Sequence, residues 1–226
     1  YASFGLSHIV HKIHFLYSCD ANFGILKRDI EIAQEIKKIA DKYGVLKFAH
    51  LQGAKNVSER TKEIARVLGP LWNPLIAVQS MDLDVLERSK RKNIKLDPMI
   101  ALLKHFQSKK IDIHTDVLAG LPGESFESHI QTLRRVTELN FDLIDVGNIR
   151  LLPGSEYENE EFREQYSIVT KYRLISRSYG VYGDKNVFEF EESVRATNEI
   201  TEGEMFSLRL IHFLLWAFWN LGIAKP

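Results

Sequence analysis

Apolar residues recur along this chain in two periods, one of two residues and one of three to four, and stretches of each alternate. The change from one to the other is clearest between Ile111 and Ser128. Ile111, Ile113, Thr115 and Val117 take turns with Asp112, His114 and Asp116, the period of a strand whose faces meet different surroundings. The run ends in Gly120-Leu121-Pro122-Gly123, after which Ser125 caps a predicted helix with Phe126, Ile130, Leu133, Val136 and Leu139 on one side. Strand, glycine turn and helix make half of a parallel βαβ unit, and ligands of such units sit at the C-terminal strand ends.

The same theme recurs on either side. Ile13 to Ser18 predicts a strand, followed by a helix with Asp29 as N-cap, Ile32, Ala33, Ile36, Ile39, Ala40 and Tyr43 on its apolar side, and Gly44 as its stop. Leu46 to Leu51 predicts the next strand, and Ser58 caps a helix with Ile64, Ala65 and Leu68 that Gly69-Pro70 breaks. Leu75 to Val78 is uniformly apolar, as in a strand covered on both faces, and Leu83 to Arg91 and Pro98 to Ser108 are helical. Leu143 to Ile149 is a fifth strand.

Each of these strands delivers polar groups at its C-terminal end: Asp20 and Asn22, Gln52 and Lys55, Gln79 and Ser80, Asp116, then Asn148 and Arg150. A barrel brings all five sets to one mouth, whereas an open sheet uses only those at its switch point. The expectation is an α/β fold, a partial TIM-like parallel (β/α) barrel over residues 1–165, with residues 166–226 as a C-terminal extension packed on it. In that extension Val187 to Phe190 predicts a short strand after turns at Gly180 and Gly183. Met205 to Leu221 predicts an apolar helix, shorter than the roughly 20 residues of a membrane span and interrupted by Arg209 and His212. The acidic run Glu156 to Glu164 reads as a solvated face.

Composition narrows the function classes. The 30 basic and 30 acidic side chains cancel, so no global field favours nucleic acid or an anionic membrane. Cys19 is the sole cysteine, which excludes an internal disulfide and fits a reducing, cytoplasmic setting. The chain opens on Tyr1 with no start methionine or charged-then-apolar leader, as expected of a fragment. His8, His11 and His14 recur every third residue, but no cysteine or carboxylate joins them at ligand spacing, so no metal site is read there.

Four stretches, DANFGIL from Asp20, AVQSMDLDVLERSKRKNI from Ala77, DVLAGLPGESFESHIQTL from Asp116 and RLLPGSEY from Arg150, stand in the order and spacing of one known family. The chain resembles the radical S-adenosylmethionine (radical SAM) enzymes, and among them those with a cobalamin-binding domain upstream of the catalytic barrel. The resemblance implies a barrel of six βα units binding SAM and a [4Fe-4S] cluster, reductive cleavage of SAM to a 5′-deoxyadenosyl radical, an electron donor for the cluster, and a small-molecule or peptide substrate. With an upstream cobalamin domain it implies methyl transfer. The family's C-x-x-x-C-x-x-C signature has no match here, and Cys19 alone cannot supply three thiolates. Five strands counted against six place the gap at the first, so the barrel is expected to lack that strand together with its cysteine loop.

The resemblance also assigns candidate SAM contacts. Asp20 and Asn22 fall in the loop that receives the SAM amino group, although both side chains also bond local backbone and read equally as a capped turn. Gln79 and Ser80 fall where the family contacts the ribose or carboxylate. Arg91 matches the arginine suited to the SAM carboxylate, or, between Lys90 and Lys92, is a solvated helix end. The turn carrying Gly120 and Leu121 presses backbone against the adenine, or is a turn without a ligand. Asp116 shares a strand face with His114 and Asp112, where it reaches SAM or substrate, or is a packed, hydrogen-bonded lumen residue. Glu124 holds the turn through backbone amides or charges the first helical turn. No catalytic residue and no metal ligand is assigned within the chain. Two other readings remain: a degenerate barrel that has lost its cluster and acts as a binding module, and a barrel lyase or hydrolase using Lys55, or Asp116 with His114, without SAM.

Overall fold

A computed structural model of the chain describes residues 13–20, 22–53 and 59–223. It divides into two compact units interleaved along the sequence: residues 1–77, 93–115 and 139–143 form the first, and 78–92, 116–138 and 144–226 the second. His8, His11, Lys55 and Ser58 lie outside the described residues.

In the first unit β1 (Phe15–Tyr17) pairs in parallel with β2 (Phe48–His50), Leu16 opposite Ala49, and the pairing extends to a parallel bridge between Phe23 and Gly53. Among the described residues β2 is the sole strand neighbour of β1. Between the two strands runs α1 (Arg28–Tyr43), which buries Ala33, Ile36, Ile39 and Ala40 at the expected three-to-four spacing and ends at Gly44 in the left-handed conformation. Asp29 is not its N-cap, as the sequence suggested. Lys27 occupies that position, and the buried Asp29 carboxylate instead takes the amides of Gly24 and Leu26, each at 2.8 Å. Two charge-assisted bonds to a tight loop outcompete a single helix cap.

The next helix, α2 (Glu59–Leu68), buries Ile64, Ala65 and Leu68 and runs into a 3₁₀ turn at Gly69–Leu71. Trp72 follows, 1% exposed, with its Nε1 donating to the Leu51 carbonyl at 2.7 Å. A β-carbon on Gly53 would stand 3.4 Å from the Trp72 ring, so glycine there lets the indole lie on the β2 exit. The expected strand at Leu75 to Val78 is realised as isolated parallel bridges, Leu75 to His114 in the first unit and Gln79 to Val117 in the second.

In the second unit α3 (Leu83–Arg88) is capped by Asp82, whose carboxylate accepts from Asp84 and Val85. The first unit holds α4 (Leu96–Ser108), which buries Met99, Leu102, Leu103 and Phe106. Strand β3 (His114–Ala119) alternates buried and half-buried residues as the sequence predicts and pairs with β4 (Leu143–Asn148). After the glycine turn α5 (Phe126–Glu138) buries His129, Thr132, Leu133 and Val136. Its most deeply buried stripe is therefore centred one residue ahead of the expected one, and Phe126 and Ile130 are only partly covered.

The C-terminal part differs most from expectation. A two-residue strand β5 (Arg150–Leu151) and a short helix α6 (Glu160–Gln165) lead into a long antiparallel hairpin, β6 (Val169–Tyr182) and β7 (Lys185–Ala196). The predicted short strand at Val187 to Phe190 is the middle of β7, and Gly180 is not a turn but a paired residue opposite Val187. Tyr172, Leu174, Tyr179, Val181, Phe188 and Phe190 share one face of the hairpin and are exposed, as are Lys171, Val187 and Glu189 on the other, so neither face is covered along this part. A register shift between Leu174 and Tyr179, with Arg177 at φ 65°, breaks the period.

The last helix, α7 (Glu202–Leu215), starts three residues before the expected Met205. Thr201 and Glu204 form a reciprocal capping box there, and a π-helical turn (Trp216–Asn220) continues the helix. Asn220 closes it by donating to the carbonyl and accepting from the amide of Ile144, both at 3.0 Å. Among the described residues no helix is long and apolar enough to cross a membrane.

Candidate functional site

The second unit holds six of the eight sequence-predicted contacts: Gln79, Ser80, Arg91, Asp116, Gly120 and Leu121. Gln79 has φ 63°, a left-handed conformation that a non-glycine side chain adopts at a cost, while its amide donates to the Asp116 carbonyl at 2.7 Å and its carbonyl accepts from Leu118 at 2.9 Å. Its side-chain Oε1 accepts a hydrogen bond from the Arg91 guanidinium. The bent backbone thus turns the amide side chain toward Arg91, and the two sequence-predicted polar groups meet. Asp116 is half-buried and brings a carboxylate oxygen within 4.8 Å of one from Asp145, so a second acid joins this strand face.

Ser80 is fully buried. Its hydroxyl accepts from the amide of Asp82 at 3.1 Å and lies 3.4 Å from the Thr132 hydroxyl, which itself accepts from the Met81 amide at 3.0 Å. Both of these side-chain contacts of Ser80, to Asp82 and to Thr132, tie it to the α3 entry and α5.

The glycine turn is held by its own chain. Gly120 has φ 88°, and a β-carbon on it would stand 3.1 Å from Val194 Cγ1 and 3.4 Å from Met205 Cε; on Gly123 it would stand 2.6 Å from Arg88 Cδ. The room left by both glycines is filled by side chains of β7, α7 and α3. Leu121 is fully buried in an apolar cluster with Val85, Ile149, Leu151 and Val194. The amides of Gly120 and Leu121 donate to Glu124 Oε2 at 2.7 and 3.4 Å, which realises the amide-holding role among the two that the sequence left open for Glu124.

Behind that carboxylate stands a relay that sequence reasoning missed. Glu124 Oε1 is 2.9 Å from His129 Nδ1, and His129 Nε2 is 2.9 Å from His212 Nε2. Glu124 and His129 are fully buried. Burial first, then the neighbouring His129, pushes the His212 pKa down to about 3. A neutral His212 satisfies the chain if its Nε2 carries the proton and donates to His129 Nε2, while His129 Nδ1–H donates to Glu124. His129 was readable in principle, since it stands three and seven residues before Thr132 and Val136 on the buried side of α5. His212, 83 residues away, was not.

Tyr157, at the end of the RLLPGSEY stretch, packs on the apolar cluster around Leu121. Burial pushes its phenol pKa up to about 12, against a smaller opposing effect of the Arg91 charge.

In the first unit Asp20 and Asn22 are exposed. Asp20 Oδ1 accepts from the Asn22 amide at 2.9 Å and the Asp20 amide donates to Ser18 Oγ at 3.1 Å, so the capped-turn geometry is formed. Asp20 also borders an apolar cavity of about 300 Å³ that Leu16, Phe23, Ile36 and Leu51 line. Cys19 is exposed and free, and one thiol is short of the three that a site-differentiated [4Fe-4S] cluster takes; these residues do not fit the cluster by themselves.

No protein-family model matches the chain. It is 29% identical over 211 residues to the cobalamin-dependent radical SAM methyltransferase TokK of Streptomyces tokunonensis, covering 90% of this chain and 31% of TokK. It is 32% identical over 199 residues to the 2-(S-pantetheinyl)-carbapenam-3-carboxylate methyltransferase of Streptantibioticus cattleyicolor, covering 86% of this chain and 29% of that enzyme. The chain thus spans about a third of the length of these curated relatives. Its fold is similar to that of the radical SAM methyltransferase TsrM from Kitasatospora setae, solved with cobalamin and a [4Fe-4S] cluster, at TM-score 0.55 and 14% identity over 74% of this chain and 32% of TsrM.

Proposed function

We propose that this chain, which belongs to the radical SAM family, is the SAM-holding part of the catalytic barrel of a cobalamin-dependent methyltransferase. The observation that carries the reading is the pairing of Gln79 with Arg91. A left-handed residue at the bridge to β3 fixes a guanidinium beside the Asp116 strand, at positions that the family resemblance assigns to SAM contacts. Relatives that share 29% and 32% of the matched residues and are named as methyltransferases support the reaction class.

In this reading Arg91 takes the SAM carboxylate through its fork and Gln79 holds Arg91 in place. Asp116 orients the ribose or the substrate. The buried turn at Gly120 and Leu121 walls the adenine side through its carbonyls, because its amides are committed to Glu124. The protein contributes position and the exclusion of water, and the bound cofactor supplies the reactive methyl or adenosyl group. The cluster thiolates, the cobalamin site and the docking site for an electron donor belong, in this reading, to sequence outside these residues; a small-molecule or peptide substrate and a cytoplasmic setting complete it.

The test is anaerobic reduction of the full-length gene product with SAM and cobalamin. Formation of S-adenosylhomocysteine or 5′-deoxyadenosine above the protein-free control is the expected result. Absence of both products from a preparation that carries its cluster would overturn the reading.

A further inference from the structure

A second cavity, of about 220 Å³, opens within the second unit. Four guanidinium groups line it, from Arg150, Arg173, Arg195 and Arg209, together with the Ser193 hydroxyl and His212. Among the described residues one carboxylate serves the first two: Glu191 pairs with Arg150 at 3.3 Å and also accepts from Arg173. Arg195 Nε is buried with no hydrogen-bond partner among the described residues. Glu202, which feels the Arg195 charge, is bound to Lys171, and neither Arg195 nor Arg209 makes an ion pair among the described residues. Burial, and then His129, hold the His212 pKa far below its ordinary value, so near neutrality it neither adds to nor offsets the charge.

A cluster of four cations against one shared anion, with a guanidinium nitrogen withdrawn from water, is costly unless a further anion completes it. We propose that this cavity binds the carboxylate of the substrate, with Arg195 and Arg209 as its fork and Ser193 as an additional donor. A planar guanidinium pairs two oxygens of one carboxylate in parallel, a geometry that four such groups around a small cavity favour over the single point charge of a lysine site. The Arg150–Glu191–Arg173 group forms the wall, its own charge largely used internally. Assigning the carboxylate to the substrate rests on the methyltransferase reading above, whereas the anion site itself does not.

Calorimetric titration of the full-length protein with succinate at low ionic strength tests the site, with inorganic phosphate and SAM as parallel ligands. Saturable succinate binding is expected, tighter than phosphate, undisplaced by SAM, and weakened about tenfold by Arg195→Gln and by Arg209→Gln, as for loss of one charge-assisted hydrogen bond. Arg209 is exposed on α7, so its variant folds even if Arg195→Gln does not. No saturable binding, equal affinity in Arg209→Gln, or phosphate binding as tight as succinate overturns the carboxylate site. Displacement of succinate by SAM overturns the substrate assignment by giving the pocket to the SAM carboxylate. If succinate binds as expected while SAM fails to bind at all, the pocket stands and the reading under Proposed function falls.

Discussion

Glu124 and His129, both fully buried, face each other at 2.9 Å, and the same carboxylate holds the amides of Gly120 and Leu121 with its other oxygen. One side chain therefore ties the glycine turn to α5 and, through His129, to His212 on α7. Glu124→Ala removes both acceptor oxygens and leaves the buried Gly120 amide and His129 ring without that partner. The expected loss is roughly 2–4 kcal/mol, the range for breaking a buried hydrogen-bonded pair. Urea unfolding followed by circular dichroism measures it; an unchanged midpoint would show that the relay does not hold the turn.

The His212 pKa of about 3 makes a pH prediction. Its folded value lies below the unfolded value of 6.5, so folding favours the neutral ring. The contribution is complete above pH 6.5 and is lost as pH falls below it, because only the unfolded chain then takes the proton. The unfolding midpoint of the wild type should drop between pH 6.5 and 4 more steeply than that of His212→Gln. Equal slopes would contradict the assignment.

Arg163 and Glu192 form a two-pronged pair at 3.0 and 2.9 Å. The Arg163 bonds hold the Glu192 carboxyl below its ordinary value of 4.5, ahead of the opposing effect of burial. Stability from this pair is complete above that value and is lost as pH falls through the depressed folded pKa. Arg163→Gln should therefore destabilise the protein near neutrality by about 1–2 kcal/mol and little at pH 2. A penalty that persisted undiminished in acid would refute the linkage.

Gly120 combines a positive φ with a neighbour at 3.1 Å. Gly120→Ala should cost roughly 1–3 kcal/mol, the first part from the left-handed backbone and the rest from the overlap with Val194. Adding Val194→Ala should restore only the overlap part. Thermal melts of the two single variants and the double variant separate these contributions, and full recovery in the double variant would mean that the backbone conformation carries no cost.

The legible part of this chain was the part with one buried face. Strand β3 announces itself through Ile113, Thr115 and Val117, and α1 through Ala33, Ile36 and Ala40, because each alternation is imposed by a core on one side. Of the β6–β7 hairpin only Val187 to Phe190 was read as a strand; Tyr172 and Leu174 keep the same period, but they are exposed and the register shift between Leu174 and Tyr179 interrupts the pattern, so its full length was not legible. At the site, Gln79 and Arg91 were found as separate candidates; that they touch depends on the left-handed backbone of Gln79, which no residue type signals. Ser80 and Leu121 were named as ligand contacts on the family resemblance; that the Ser80 hydroxyl accepts from Asp82 and lies beside Thr132, and that the Leu121 side chain packs in the apolar cluster, no residue type announces. His129 and His212 needed tertiary structure, because a pair 83 residues apart leaves no local pattern.

The central claim is that Arg91, held by Gln79, anchors SAM. Calorimetric titration of SAM into the full-length gene product and its Arg91→Ala variant tests this most directly, with circular dichroism confirming that the variant is folded. The account predicts saturable binding by the parent protein and an affinity lower by tenfold or more in the variant, about the worth of one charge-assisted bidentate contact. Equal affinity in the two proteins, or no binding by the parent, would contradict it.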